Sequence, residues 1–109
     1  MGAFEQMVLL ALVRLGPGAY GMEVRREIEE RTGREVSIAA VYTTLGRLET
    51  KGFVRHEIGE PTAERGGRAK KHYRVLPEGL VALDETRVAL ERMWDGIRAR
   101  VSGDGRGRA

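Results

Sequence analysis

A mainly α-helical fold with one small β-hairpin is predicted by three features of this 109-residue chain. Apolar residues recur at three- and four-residue spacing through its first half and again from Leu80 onward. Two short alternating runs, FVRHEI and KHYRVL, lie between those stretches and enclose a glycine-rich basic loop, GEPTAERGGRAK. The helical stretch SIAAVYTTLGRLETKG runs straight into the first of these runs. Helix, strand, basic loop and strand in that order make a winged helix-turn-helix, which offers a reading helix and a wing to DNA.

The first helix is expected from Ala3 to Leu15, with Phe4, Met7, Val8, Ala11, Leu12 and Leu15 on its stripe. It is apolar nearly all round, as a central core helix is. Gly16-Pro17-Gly18 stops it. The second helix spans about Gly21 to Arg31, burying Tyr20, Val24 and Ile28 and turning Glu23, Arg26, Glu27 and Glu30 outward; Gly33 ends it. Ser37 caps a third helix from Ile38 to Lys51, although Ala40 stands where a capping box needs Glu. Ile38, Val41, Leu45 and Leu48 form its buried stripe, and Tyr42 and Glu49 lie near that side. The opposite face is centred on Thr43. Pro77 opens a fourth helix that is expected to run unbroken to Val101. Leu80, Leu83, Arg87, Leu90, Trp94, Ile97 and Val101 alternate spacings of three and four along it, an a/d seam with one polar member. Residues 102–109, SGDGRGRA, read as a disordered tail. The organisation is therefore a winged helix-turn-helix domain at 1–76, a dimerisation helix at 77–101 and the tail.

Composition narrows the function classes. A chain this short buries only about 60–65% of its unfolded surface, so a second copy would add needed core. Without cysteine, disulfides, Cys-ligated zinc and thiol catalysis are ruled out, and a reducing cytoplasm fits. The apolar start MGAFEQMVLLALVRL is too short to span a bilayer and lacks a basic flank, so no membrane partner is expected. Net charge is only +3, but Thr62 to Leu76 carries five cations against Glu64, a net +4 that leaves −1 for the rest. A concentrated positive field of this kind suits phosphate.

On the third helix the outer face is small and polar, with Ala39, Ala40, Thr43, Thr44, Gly46 and Arg47. Small side chains let a helix lie deep in the major groove, where methyl groups meet thymine and Arg47 meets guanine or phosphate. Arg65-Gly66-Gly67-Arg68 turns tightly while projecting two guanidiniums, and Lys70 and Lys71 extend the charge towards phosphates or the minor groove. The DNA-contact set is thus Ser37, Ala39, Ala40, Tyr42, Thr43, Thr44, Arg47, Lys51, Arg65, Arg68, Lys70 and Lys71. Along the seam, Leu83, Arg87, Leu90, Trp94, Ile97 and Val101 build a dimer core. Trp94 is read either as a core residue there or as an aromatic wall for a flat apolar ligand. No metal site is expected from His56 and His72, which lack further ligands. Ser37 and Ser102 are the only serines, and neither GxSxG nor GxxxxGK[ST] occurs, so neither enzymatic activity nor a cofactor is expected.

The motifs also resemble a family. Gly18-Ala19-Tyr20-Gly21, Val36-Ser37, Val41-Tyr42-Thr43-Thr44-Leu45, Arg47-Leu48-Glu49, Lys51-Gly52-Phe53-Val54, Gly67-Arg68, Lys71-His72-Tyr73-Arg74-Val75 and Glu78-Gly79 together resemble PadR-family transcriptional regulators of the short kind, with a single C-terminal helix. The likeness covers about Phe4 to Leu83; Leu76-Pro77 departs from it where Thr often precedes the Glu-Gly turn. It implies a cytoplasmic homodimeric repressor on an inverted-repeat operator in double-stranded DNA, often relieved by a small aromatic or amphipathic effector. The competing reading is a winged-helix module that docks a protein instead of DNA.

Overall fold

The computed structural model describes residues 1–59 and 70–106, with side chains as far as Ser102. Its elements are α1 (Ala3–Leu15), α2 (Gly21–Thr32), α3 (Ile38–Thr50), β1 (Val54–Ile58), β2 (Lys71–Val75), α4 (Pro77–Trp94) and α5 (Arg98–Arg106). The two strands pair antiparallel, with His56 opposite Tyr73 and Arg55 opposite Arg74.

Helices α1, α2 and α3 pack around one aliphatic core. Val8, Leu9, Ala11 and Leu12 of α1 meet Val24 and Ile28 of α2 and Val41, Leu45 and Leu48 of α3, and the hairpin adds Val54 and Tyr73. Leu9 rather than Leu15 completes the buried stripe of α1. The helix is not enclosed on all sides either: Leu10 and Val13 remain about half exposed on the side away from α3. Between α2 and α3, the Glu29 carboxylate accepts a hydrogen bond from the Val36 amide at 2.8 Å. That bond, ahead of the nearby Arg25 charge, holds the Glu29 pKa below its ordinary value. It pins the turn that sets Ser37, whose Oγ accepts from the Ala40 amide at 3.0 Å.

Helix α4 starts by close approach. Leu76 caps it without a side-chain hydrogen bond, Pro77 occupies the first turn, and Gly79 lies against Phe53, just before β1, and Val75 at the end of β2. A Cβ on Gly79 would stand 2.5 Å from the Phe53 carbonyl oxygen. Leu83, a turn further on, still packs against the core before α4 extends as an arm, and the molecule measures 55 × 32 × 19 Å. Its radius of gyration of 16.8 Å exceeds the roughly 13 Å of a compact chain this size.

Two expectations are corrected along this arm. The fourth helix does not run to Val101: it ends at Trp94, because Asp95 leaves helical geometry (ψ 128°) and Gly96 takes φ +84°. An Asp-Gly pair favours such a turn, and glycine carries positive φ without a Cβ clash. Ile97 and Val101 therefore fall outside the α4 heptad. Part of the stretch read as a tail, residues 102–106, is helical backbone. Once α5 is nucleated past the turn, each added residue gains a hydrogen bond, and helical backbone continues to Arg106.

Two outcomes follow from these contacts. Gly79→Ala should cost about 1–3 kcal/mol, because its Cβ meets backbone that cannot step aside; thermal unfolding should register a fall of several degrees. Lys51 Nζ bonds both carboxylate oxygens of Glu5, at 2.9 and 3.0 Å, tying the end of α3 to the start of α1. The Lys51 hydrogen bond holds the Glu5 pKa below its usual value. A depressed carboxylate pKa stabilises above the unfolded value of about 4.3 and stops doing so as pH falls through the folded value. Glu5→Gln should thus lose up to about 1 kcal/mol at neutral pH, and denaturant titrations should show the deficit vanishing in acid.

Candidate nucleic-acid interface

The outward side of α3 is built from short side chains. Ala39, Thr43, Gly46, Arg47 and Thr50 are exposed and Ala40 is half-buried, while Ser37 serves the cap. Among the described residues, Arg47 enters no ion pair. Tyr42 is exposed at the edge of this face, but its ring lies across the first turn of α2, where a Cβ on Gly21 would meet it.

Thr44 does not belong to this face. It is only 4% exposed and shares the inner stripe with Val41, Leu45 and Leu48. The helical angle explains the misreading: Thr44 follows Val41 by three and precedes Leu48 by four, so it projects inward with them. Lys51, expected at the DNA, sits at the C-terminal end of α3 on the Glu5 carboxylate. Reading helices meet base edges mainly through their N-terminal residues.

Beside α3, the hairpin is fixed by residues that composition did not single out. The Glu49 carboxylate lies 2.7 Å from His56 Nδ1 and accepts the His56 amide at 3.3 Å, joining α3 to β1. Tyr73 stacks at a tilt on His56, its ring centroid 5.7 Å away. Burial first, and then the Glu49 charge, push the Tyr73 hydroxyl pKa up. The pairing of Tyr73 with His56 places His72 on the other face of the ribbon. The histidines thus serve different neighbours, and no group of three or more potential metal ligands occurs among the described residues. Arg55 and Arg74 are paired across the ribbon and exposed, as is Lys71. Lys70 lies with its Nζ 4.2 Å from the centre of the Tyr20 ring. Arg65 and Arg68, expected at the wing tip, lie outside the described residues.

A second feature faces away from the hairpin. An open groove of about 450 Å³ runs between α1 and α4, with Leu10 and Val13 on one wall and Leu83, Leu90 and Trp94 on the other. Leu83 is half-buried, whereas Leu90 and Trp94 are 45% and 38% exposed. Arg87, the polar member of the seam, bonds Asp84 at 2.7 Å and Glu91 at 2.9 Å, which raise its already high pKa. Arg98 approaches the Trp94 ring at 6.0 Å. Ile97 and Val101 are exposed beyond the helix break.

Known proteins share this fold. Residues 9–85 match the model of the transcriptional regulator PadR-like family. Transcriptional regulator Rv3488 of Mycobacterium tuberculosis is 41% identical over 63 residues, covering 58% of this chain and 55% of that protein. The chain thus spans about half the length of the curated relative it matches. A PadR-family transcriptional regulator from Eggerthella lenta superposes with a TM-score of 0.69 at 26% identity, over 88% of this chain and 81% of that one. Bacillus subtilis PadR, solved in complex with operator DNA, shares the fold with a TM-score of 0.66 at 20% identity, over 80% of this chain and 49% of that one. With most of its folded length matched to that family's model, the chain belongs to the PadR-like family of transcriptional regulators.

Proposed function

We propose that this chain regulates transcription as a homodimer that binds an inverted-repeat operator and represses until a small molecule relieves it. The observation that carries the DNA reading is the exposed, small-sided face of α3, with Ala39, Thr43 and Arg47, next to a ribbon bearing Lys71, Arg55 and Arg74. A helix with so few long side chains can approach base edges closely, and the flanking cations suit phosphates. The likeness of fold to an operator-bound PadR supports the same placement.

The dimer reading rests on the apolar residues that a single copy leaves in water. Leu10, Val13, Leu80, Leu90 and Trp94 form one continuous surface across α1 and α4. Burying such a side chain fully is worth about 1.5–3 kcal/mol. In a dimer closed there, the groove would be bounded by Trp94 and suit a flat, apolar effector. Such a compound would act only by favouring one spacing of the two α3 helices over another. No helix among the described residues is long and apolar enough to cross a membrane, in keeping with a cytoplasmic regulator.

Arg47→Ala should fold normally, since exposed substitutions usually shift stability by about 0.5 kcal/mol or less. It should lose about 1–3 kcal/mol of specific binding and relax preference at one base pair per half-site. Titrations against a selected operator and a scrambled duplex check this; equal losses on both would make Arg47 a phosphate contact instead. Leu90→Asp should leave the helical head folded and yield a monomer, because it places a charge in the apolar seam. Sedimentation at micromolar concentration decides, and a monomeric wild type would end the dimer reading.

A further inference from the structure

Lys70 is the first described residue after the wing loop, and its charge already has a neighbour. Nζ stands 4.2 Å from the centroid of the Tyr20 ring, within cation–π range. The same ring meets His72 edge-on, 6.0 Å between centroids. His72 in turn donates from Nδ1 to the Gly18 carbonyl at 2.7 Å, which fixes the proton on that nitrogen because a carbonyl can only accept. The imidazole also lies against Gly59, where a Cβ would stand 2.6 Å from Nε2. Backbone bonds complete the joint. Tyr73 donates to Ala19 at 2.7 Å, Gly18 donates to Tyr73 at 3.1 Å, and Gly59 donates to Lys70 at 2.8 Å.

Both ends of segment 60–69 thus leave from a root fastened to Gly18–Tyr20. Tyr20 is itself the N-cap residue of α2, its amide bonded to Glu23 Oε1 at 3.1 Å. The hairpin ends at Gly59 and Lys70 are therefore coupled to the start of α2. We infer that Tyr20, with Lys70 and His72, is a positioning clamp that presets the wing for DNA, and that Lys70 acts through the Tyr20 ring rather than on a phosphate. This rests on the DNA reading above. A protein whose binding-competent form is only partly populated binds more weakly by that fraction, so loosening the root weakens affinity without removing a phosphate contact.

Nuclear magnetic resonance of the free protein tests the geometry. The Lys70 ε-methylene protons should be shifted upfield by the Tyr20 ring, unchanged in Tyr20→Phe and back at the ordinary position in Tyr20→Leu. The Gly59 amide should exchange faster in Tyr20→Leu. Binding to a fluorescent mixed-sequence duplex tests the role. Tyr20→Leu and Lys70→Gln should each weaken binding roughly three- to tenfold, with the dependence on salt as in wild type, and Tyr20→Phe should restore it. Because Lys70 is exposed, Lys70→Gln stays informative even if Tyr20→Leu unfolds. Three results would overturn the clamp: no upfield shift in wild type, a log K against log salt slope shallower by about 0.9 in Lys70→Gln, or undiminished binding by a folded Tyr20→Leu. Failure of the underlying reading looks different. Wild type itself then binds no duplex while its upfield shift persists, and the presetting role falls with the DNA reading.

Discussion

The pairing of Ala19 with Tyr73 is the joint on which the other contacts depend. Two backbone hydrogen bonds make the loop between α1 and α2 a short third partner of the hairpin. They also carry the Tyr73 side chain into the core, where it is 3% exposed. From there the ring supports His56, and His56 holds Glu49 at the end of α3. A hairpin of two five-residue strands is marginal in water by itself. Here it is stable because one edge is paired and one face is covered by helices.

Much of this was legible in the amino-acid pattern, for a physical reason. Glycine and proline punctuate the chain where helices stop, and aliphatic spacing marks the buried sides of α1, α2 and α3. The start and end of α1 and the N-cap role of Ser37 match what Gly16, Pro17 and local chemistry imply. Two local features escaped. Thr44 looked polar and hence outward, although its angle around the helix places it inside. The turn at Asp95–Gly96 was hidden because the apolar spacing continues across it, and the period alone cannot register one residue of positive φ.

Side chains that position others were the least visible. Glu49, His56, Tyr20 and His72 lie in no catalytic or metal motif; Glu49 and His56 meet across seven positions, and Tyr20 and His72 act on neighbours distant in sequence. His72 and Gly18 are 54 positions apart, and Lys51 and Glu5 are 46 apart. No local window contains such pairs. Lys51 and Lys70, both cations near the expected interface, also have partners within the protein that charge counting does not show, the Glu5 carboxylate and the Tyr20 ring.

The break after Trp94 sets how far force is transmitted along the arm. At 1.5 Å per residue the 18 residues of α4 form a rod of about 27 Å. Beyond it, the turn at Asp95 and Gly96 separates α4 from α5. A reporter or affinity domain fused after α5 would be set apart from the apolar face of α4 by that turn. The same cargo joined ahead of Ala3 would pull on α1, the core helix, through Glu5 and its bond to Lys51. For tethering this protein to a surface, the end beyond that turn, away from the core helix, is the gentler handle.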